Sequence, residues 1–277
     1  MTNSPSRTLR VALIGQPSCG KSTLFNHLVG YRANTSNLPG TTVEYLKSDA
    51  WIGGQRAQII DLPGTYSLTS LDKAEAETRN FLINESIDAV LNVVDASLLS
   101  RSLELTLQLL ELGIPLVVCL NMVDEARRKG IDIDAERLSE ELGVPVIPAI
   151  AVRGTGVMDA ALATARVAHK PFAASPPPYS HDIESVIQVL EREVRAHPQD
   201  GPLANSRLAA IKLLEADPYF TDHAEAEVPE LLELAASLRR TISVRRGRSA
   251  ENALAAERHS TGMELFERVA TVGPPIE

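Results

Sequence analysis

Over roughly the first 170 residues, short apolar runs alternate with stretches of helical spacing. Residues 9–14 form an apolar run that ends at Gly15, the signature of a buried strand. Leu24, Phe25 and Leu28 then repeat at helical intervals. Residues 43–52 and 56–60 flank Gly53-Gly54, which predicts a hairpin. Residues 89–94, 116–120 and 144–147 read as further strands. Leu103, Leu107 and Leu110 make a helical stripe closed by Gly113 and Pro115, and a last helix runs to about His169. Strands alternating with helices predict a mainly parallel, two-faced sheet with one antiparallel hairpin edge and ligands at the carboxyl ends of the strands.

The pattern changes at residues 173–179, which contain Pro176-Pro177-Pro178. Beyond them only helical periodicity is expected. Ile183, Val186, Ile187, Leu190 and Val194 share one face, and Leu208, Ile211, Leu214 and Leu231, Leu234, Leu238 repeat the spacing. The expected organisation is an α/β domain over 1–172, a proline-rich linker over 173–179 and a small helical domain over 180–277.

Composition narrows the function classes. Of 277 residues, 44% are apolar and 23% charged, as in ordinary globular proteins. A formal charge of −9 and 4% aromatics argue against a phosphate-backbone footprint or a base-stacking platform, so no nucleic-acid partner is expected. Cys19 and Cys119 read as reduced thiols, and the six histidines show no ligand spacing. The chain opens on no secretory signal and holds no run of the roughly 18–20 apolar residues a membrane span needs. Residues 215–233 carry seven acids and no Lys or Arg, whereas 239–248 carry five arginines. Solvated helix faces account for both runs, and a docking surface for an anionic membrane or partner is the sharper alternative.

Gly15-Gln16-Pro17-Ser18-Cys19-Gly20-Lys21-Ser22 matches the phosphate-loop pattern G-x4-G-K-[ST], with Thr23 following inside the helix. Glycines let backbone N–H groups turn around phosphates, Lys21 brings a cation to the β/γ oxygens, and the Ser22 hydroxyl suits Mg²⁺. Asp61-Leu62-Pro63-Gly64 closes the next strand, where Asp61 can hold a Mg²⁺-bound water and the Gly64 N–H can meet a γ-phosphate. Asn121-Met122-Val123-Asp124 ends a later strand, and the Asp124 carboxylate can accept two hydrogen bonds that guanine offers and adenine does not. Between the first two motifs lies a polar, Thr-rich segment, in which Thr42 is chosen over Thr41 and Thr35 as a Mg²⁺ ligand and switch residue.

Four stretches together resemble the amino-terminal cytosolic part of FeoB, a bacterial ferrous iron transporter with a tethered G domain. They are Asn37-Leu38-Pro39-Gly40-Thr41-Thr42-Val43-Glu44, Asp61-Leu62-Pro63-Gly64-Thr65-Tyr66-Ser67-Leu68, Asn92-Val93-Val94-Asp95-Ala96-Ser97 and Asn121-Met122-Val123-Asp124-Glu125-Ala126. The 208–215 stretch is similar to a helix of that family's helical domain. The resemblance implies a Ras-like G domain with a six-stranded, mostly parallel sheet, followed by a small all-α domain described in the family as stabilising bound GDP. It implies GTP and GDP binding with Mg²⁺ held by Ser22, Thr42 and Asp61, slow GTP hydrolysis, and control of Fe²⁺ passage through a membrane region beyond residue 277. Lys21, Thr42, Gly64 and Ser18 are the expected catalytic positions. A place on the cytoplasmic side of the bacterial inner membrane follows, and homo-oligomerisation is left open.

Three departures from the family pattern carry consequences. Ser18 stands where asparagine is common, whose carbonyl helps hold a K⁺ in place of an arginine finger. A serine hydroxyl is shorter and needs a water or a loop shift, so K⁺ is the one cofactor left open. Leu38 replaces a usual tryptophan. Ala149-Ile150-Ala151-Val152 aligns with the guanine-backing loop, where a serine is usual. Backbone N–H groups of Ala151 and Val152, next to Ile150, are expected to reach guanine O6. Thr65 is too short to orient a water as glutamine does in signalling GTPases, and no arginine is placed to act as a finger. Two alternatives share the generic motifs: an RNA- or ribosome-associated assembly GTPase, and a nucleotide sensor with negligible turnover. An ATP-using P-loop kinase or ATPase is disfavoured, because Asp124 would lack its partner.

Overall fold

The computed structural model describes residues 7–30, 34–38, 43–69, 72–170, 174–197 and 201–275. The chain forms two compact units. One combines the first 175 residues with the chain from Gly262 onward, and the other is Pro176–Thr261. The sequence assigned 180–277 to the helical part; by packing, the chain from Gly262 groups with the first unit.

The first unit is built in chain order from β1 (Leu9–Gly15), α1 (Lys21–Val29), β2 (Asn34–Asn37), β3 (Glu44–Ile52), β4 (Gln55–Asp61), α2 (Lys73–Asn84), β5 (Ala89–Asp95), α3 (Leu99–Glu111) and β6 (Leu116–Asn121). It continues with α4 (Val123–Arg128), β7 (Ile131–Ile133), α5 (Ala135–Leu142), β8 (Val146–Pro148) and α6 (Val157–Ala168). The main sheet has seven strands in the order β2-β3-β4-β1-β5-β6-β8, one more than the six expected. The addition is β2, which pairs antiparallel with β3 from Asn34↔Lys47 to Asn37↔Glu44. Its residues are polar and mostly exposed, so no apolar alternation marked it.

From β4 through β1, β5 and β6 to β8 the neighbours are parallel, and β3–β4 is the antiparallel hairpin around Gly53-Gly54. The apolar runs of β1, β5 and β6 are buried almost throughout, because parallel strands are covered on both faces. Leu24 and Phe25 of α1 and Ala160 and Ala161 of α6 pack into one cluster with Val11, Leu13 and Val93. Burying each such Leu or Val side chain is worth about 1.5–3 kcal/mol. This two-sided core holds the carboxyl ends of β1, β4 and β6 in fixed register.

The second unit contains α7 (His181–Arg195), α8 (Ser206–Leu214), α9 (Pro218–Glu227), α10 (Glu230–Arg246) and the start of α11 (Ala250–Val269). The expected stripe on α7 is fully buried, and α8 is buried along its length from Leu208 to Leu214. Lys212, Glu215 and Arg258 form a buried ion triad: Lys212 Nζ lies 2.8 Å and Arg258 Nη1 2.6 Å from the two Glu215 oxygens. Burial pushes the Glu215 carboxyl up, but Arg258 and Lys212 outweigh it and hold it down to about 2.

After α11 a strand not foreseen in the sequence, β9 (Ala270–Val272), pairs antiparallel with β7. Among the described residues no helix is long and apolar enough to cross a membrane.

Candidate functional site

The loop from Gly15 to Lys21 joins the end of β1 to the start of α1, as a phosphate loop requires. Its tight course puts Ser18 at φ +67° and Gly20 at φ +86°. A Cβ on Gly20 would lie 2.3 Å from Asn121 Nδ2, so glycine is needed there for space as well as for backbone conformation. Gly15 is equally confined, since a Cβ there would meet the Val93 carbonyl at 2.4 Å.

An open cavity of about 570 Å³ lies over this loop, lined by Gln16, Pro17, Ser18, Gly20, Lys21, Ser22, Thr23, Gly64 and Met122. All nine are residues that the sequence assigned to the nucleotide. Lys21 Nζ pairs with Asp61 Oδ1, both side chains nearly buried. Burial pushes the Asp61 carboxyl up, against the opposing pull of Lys21. Ser22 in the first turn of α1 and Asp61 at the end of β4 supply hard oxygen donors of the kind Mg²⁺ prefers. Thr42 lies outside the described residues.

Asn121 ties the two halves of the site together. Its Nδ2 donates to the Cys19 carbonyl at 2.9 Å and its Oδ1 accepts the Ala151 N–H at 2.8 Å. One buried carboxamide therefore braces the phosphate loop against the 149–153 loop. Met122 follows at φ +61°, a strained conformation for a non-glycine residue, and α4 begins behind it. Asp124 Oδ1 accepts the Glu125 N–H at 3.0 Å, while Oδ2 lies 3.9 Å from Arg153 Nη2.

The loop expected to back guanine is held by hydrogen bonds of its own. The Ala151 N–H, expected at guanine O6, is engaged by Asn121, and the Ile150 N–H donates to the Thr155 carbonyl at 3.0 Å. Their donors brace the loop itself. Val152 is 74% exposed and is the member of the trio left facing outward.

On the other flank, Gly64 approaches Pro17 so closely that a Cβ would lie 3.3 Å from it. The Thr65 N–H donates to the Gly15 carbonyl at 3.1 Å, and its hydroxyl donates to the Ser67 carbonyl at 2.6 Å. That hydroxyl is turned into the loop.

Sequence reasoning missed Glu75. Its Oε1 accepts the N–H groups of Tyr66 and Ser67 at 3.1 and 3.0 Å, and its Oε2 accepts the Ser67 hydroxyl at 2.6 Å. The available signal was the Asp72-Lys73-Ala74-Glu75 capping pattern, in which Asp72 caps α2. Gln108 of α3 was also missed; its Oε1 accepts the Leu68 N–H at 2.5 Å. Cys19 and Cys119 are free and buried, and burial raises their thiols to about 11 and about 12.

A mixed α/β sheet with flanking helices, a phosphate loop at the end of its first strand and a helical carboxyl-terminal unit define a P-loop GTPase-type G domain joined to a helical domain. Comparison with known proteins makes this specific. Residues 9–164 match the family described as ferrous iron transport protein B, and residues 179–271 match the FeoB cytosolic helical domain. The chain belongs to the FeoB family.

The Fe(2+) transporter FeoB of Escherichia coli K12 is 38% identical over 222 residues, covering 79% of this chain and 28% of that protein. The chain thus spans under a third of the curated relatives it matches. Among solved structures, a GDP-bound S. thermophilus NFeoB variant superposes with a TM-score of 0.85 at 31% identity, covering 95% of this chain and 100% of that one. The cytosolic domain of L. pneumophila FeoB gives 0.81 at 31% identity, covering 95% and 99%.

Proposed function

We propose that this chain binds GTP and GDP with Mg²⁺, hydrolyses GTP slowly, and thereby regulates Fe²⁺ passage through an attached membrane region on the cytoplasmic side of the inner membrane. The observation that carries the reading is the Asn121 brace. It links a phosphate loop to a loop beside the Asp124 carboxylate, so phosphate and base subsites stand in fixed relation.

Each residue has a role in this reading. The loop N–H groups and Lys21 hold the phosphates, and the Gly64 N–H meets the γ-phosphate. Ser22, Asp61 and Thr42 hold Mg²⁺, which when bound neutralises phosphate charge. Asp124 accepts the guanine N1 and N2 protons. Release of the γ-phosphate frees Gly64, and through the loop held by Glu75 that change reaches α2. Slow turnover follows from Thr65, whose hydroxyl is occupied within the loop.

Equilibrium binding of GDP, ADP and XDP tests the base assignment. Wild type should prefer GDP by about a thousand-fold over ADP, because adenine would leave the Asp124 carboxylate without its two donors. Asp124→Asn should lose GDP affinity and gain XDP affinity, because an acceptor becomes a donor. An unchanged preference would move guanine recognition elsewhere. Single-turnover GTP hydrolysis no faster than that of free GTP would make the domain a nucleotide sensor.

A further inference from the structure

The end of α10 carries charge that neither the G-domain reading nor the packing of the helical unit uses. Five arginines fall between residues 239 and 248, and two are engaged internally. Arg239 Nη1 donates to the Leu213 carbonyl at 3.0 Å, and Arg246 pairs with Asp182 and Glu257. Arg240, Arg245 and Arg248 are exposed, and among the described residues no carboxylate lies within ion-pair distance of them. Val244, 85% exposed, sits in their midst, one helical turn from Arg240.

Cations in a last helical turn favour the helix dipole, which accounts for one or two of them. It does not account for Arg240, earlier in the helix, for Arg248, beyond the Gly247 cap, or for the exposed valine between them. At the opposite pole, Glu230 and Glu233 occupy the first turn of α10, and Asp222, Glu225 and Glu227 of α9 are exposed. At 1.5 Å per residue the two poles are separated by roughly 20 Å. On a chain of net charge −9, an anionic surface would repel the molecule as a whole and attract this pole.

We propose that Arg240, Val244, Arg245 and Arg248 contact the anionic phospholipid headgroups of a bilayer. The three arginines are all exposed and spread along the chain from within α10 to beyond its Gly247 cap, which suits a charged plane better than a single small anion. A basic rim around an apolar side chain fits the headgroup boundary. The proposal rests on the membrane-attached reading above for its source of lipid: the relatives are Fe²⁺ transporters, of which this chain matches 28%.

The test is co-sedimentation of the 277-residue chain with vesicles of phosphatidylcholine alone or with 30% phosphatidylglycerol, at about 50 and about 500 mM salt. Wild type should partition onto the anionic vesicles at low salt and leave them at high salt. Each arginine should contribute about five-fold, so R240Q/R245Q/R248Q should bind about a hundred-fold more weakly. GDP affinity, read on the same samples, should not change, so failure here is separable from failure of the nucleotide reading. Equal binding to both vesicle types, or a triple variant that binds as wild type, would overturn the proposal. Displacement by inorganic phosphate beyond that by chloride at matched ionic strength would mark a small-anion site and overturn it too.

Discussion

Ser18 and Met122 hold positive φ angles of 67° and 61° without being glycine, and both border the cavity. Strain of this kind persists only where the surroundings enforce it. Asparagine tolerates the left-handed region better than serine and carries a carbonyl. Ser18→Asn is therefore expected to leave the melting temperature unchanged or slightly raised, and to increase the ratio of GTP hydrolysis rates in KCl over NaCl. A ratio equal to wild type would remove Ser18 from the cation question. Gly20→Ala should do the opposite of a neutral change. Its Cβ would press on Asn121 Nδ2 at 2.3 Å, and its backbone conformation adds about 1–2 kcal/mol. We expect at least ten-fold weaker GDP binding by titration calorimetry. The phosphate-loop residues were legible in the chain because that motif is local and its chemistry lies in the backbone. The destination of the Ala151 N–H was not, because Asn121 is 30 residues away and only the fold brings them together.

Among the elements, α2 and α11 left the weakest trace in the sequence, for the same reason. The buried face of α2 includes Thr78 and Arg79 beside Phe81 and Leu82, and α11 buries Arg258 and a glycine, Gly262, along its stripe. Polar residues on a buried face erase the apolar period that betrays a helix. The β1, β5 and β6 strands suffered no such masking. The consequence of α2 lies in Glu75, which holds the Tyr66–Ser67 backbone. Glu75→Ala removes the acceptor of two N–H groups and a hydroxyl. Hydrogen bonds to a charged group contribute about 1.5–3 kcal/mol each. Amide exchange over residues 65–69 should accelerate by more than ten-fold, with GTP turnover reduced and GDP affinity little changed. Unaltered exchange there would show that Gln108 alone anchors the loop.

In the molecule as a whole, the buried triad of the helical unit is expected to contribute to the acid dependence of stability. Glu215 is held at about 2, below the ordinary carboxylate value of roughly 4.3. With its pKa lowered by folding, its contribution is complete above that ordinary value and is lost as pH falls toward 2. Circular dichroism should show the helical signal of wild type weakening across this window. Glu215→Gln should lower the melting temperature at pH 7 and flatten the acid dependence, because Lys212 and Arg258 are then left as buried cations without their anion. The return of the chain to the first unit after Thr261 was invisible in the sequence, since β9 is three residues long and pairs with a strand as short. That pairing has a mechanical meaning. The Gly273 N–H donates to the Gly130 carbonyl at 2.7 Å, one step beyond the Ile131↔Val272 rung. Any polypeptide continuing past this point hangs from that rung. Tension along it would load Gly130 first and then the last turn of α4, whose opposite end carries Asp124, before it reached α11.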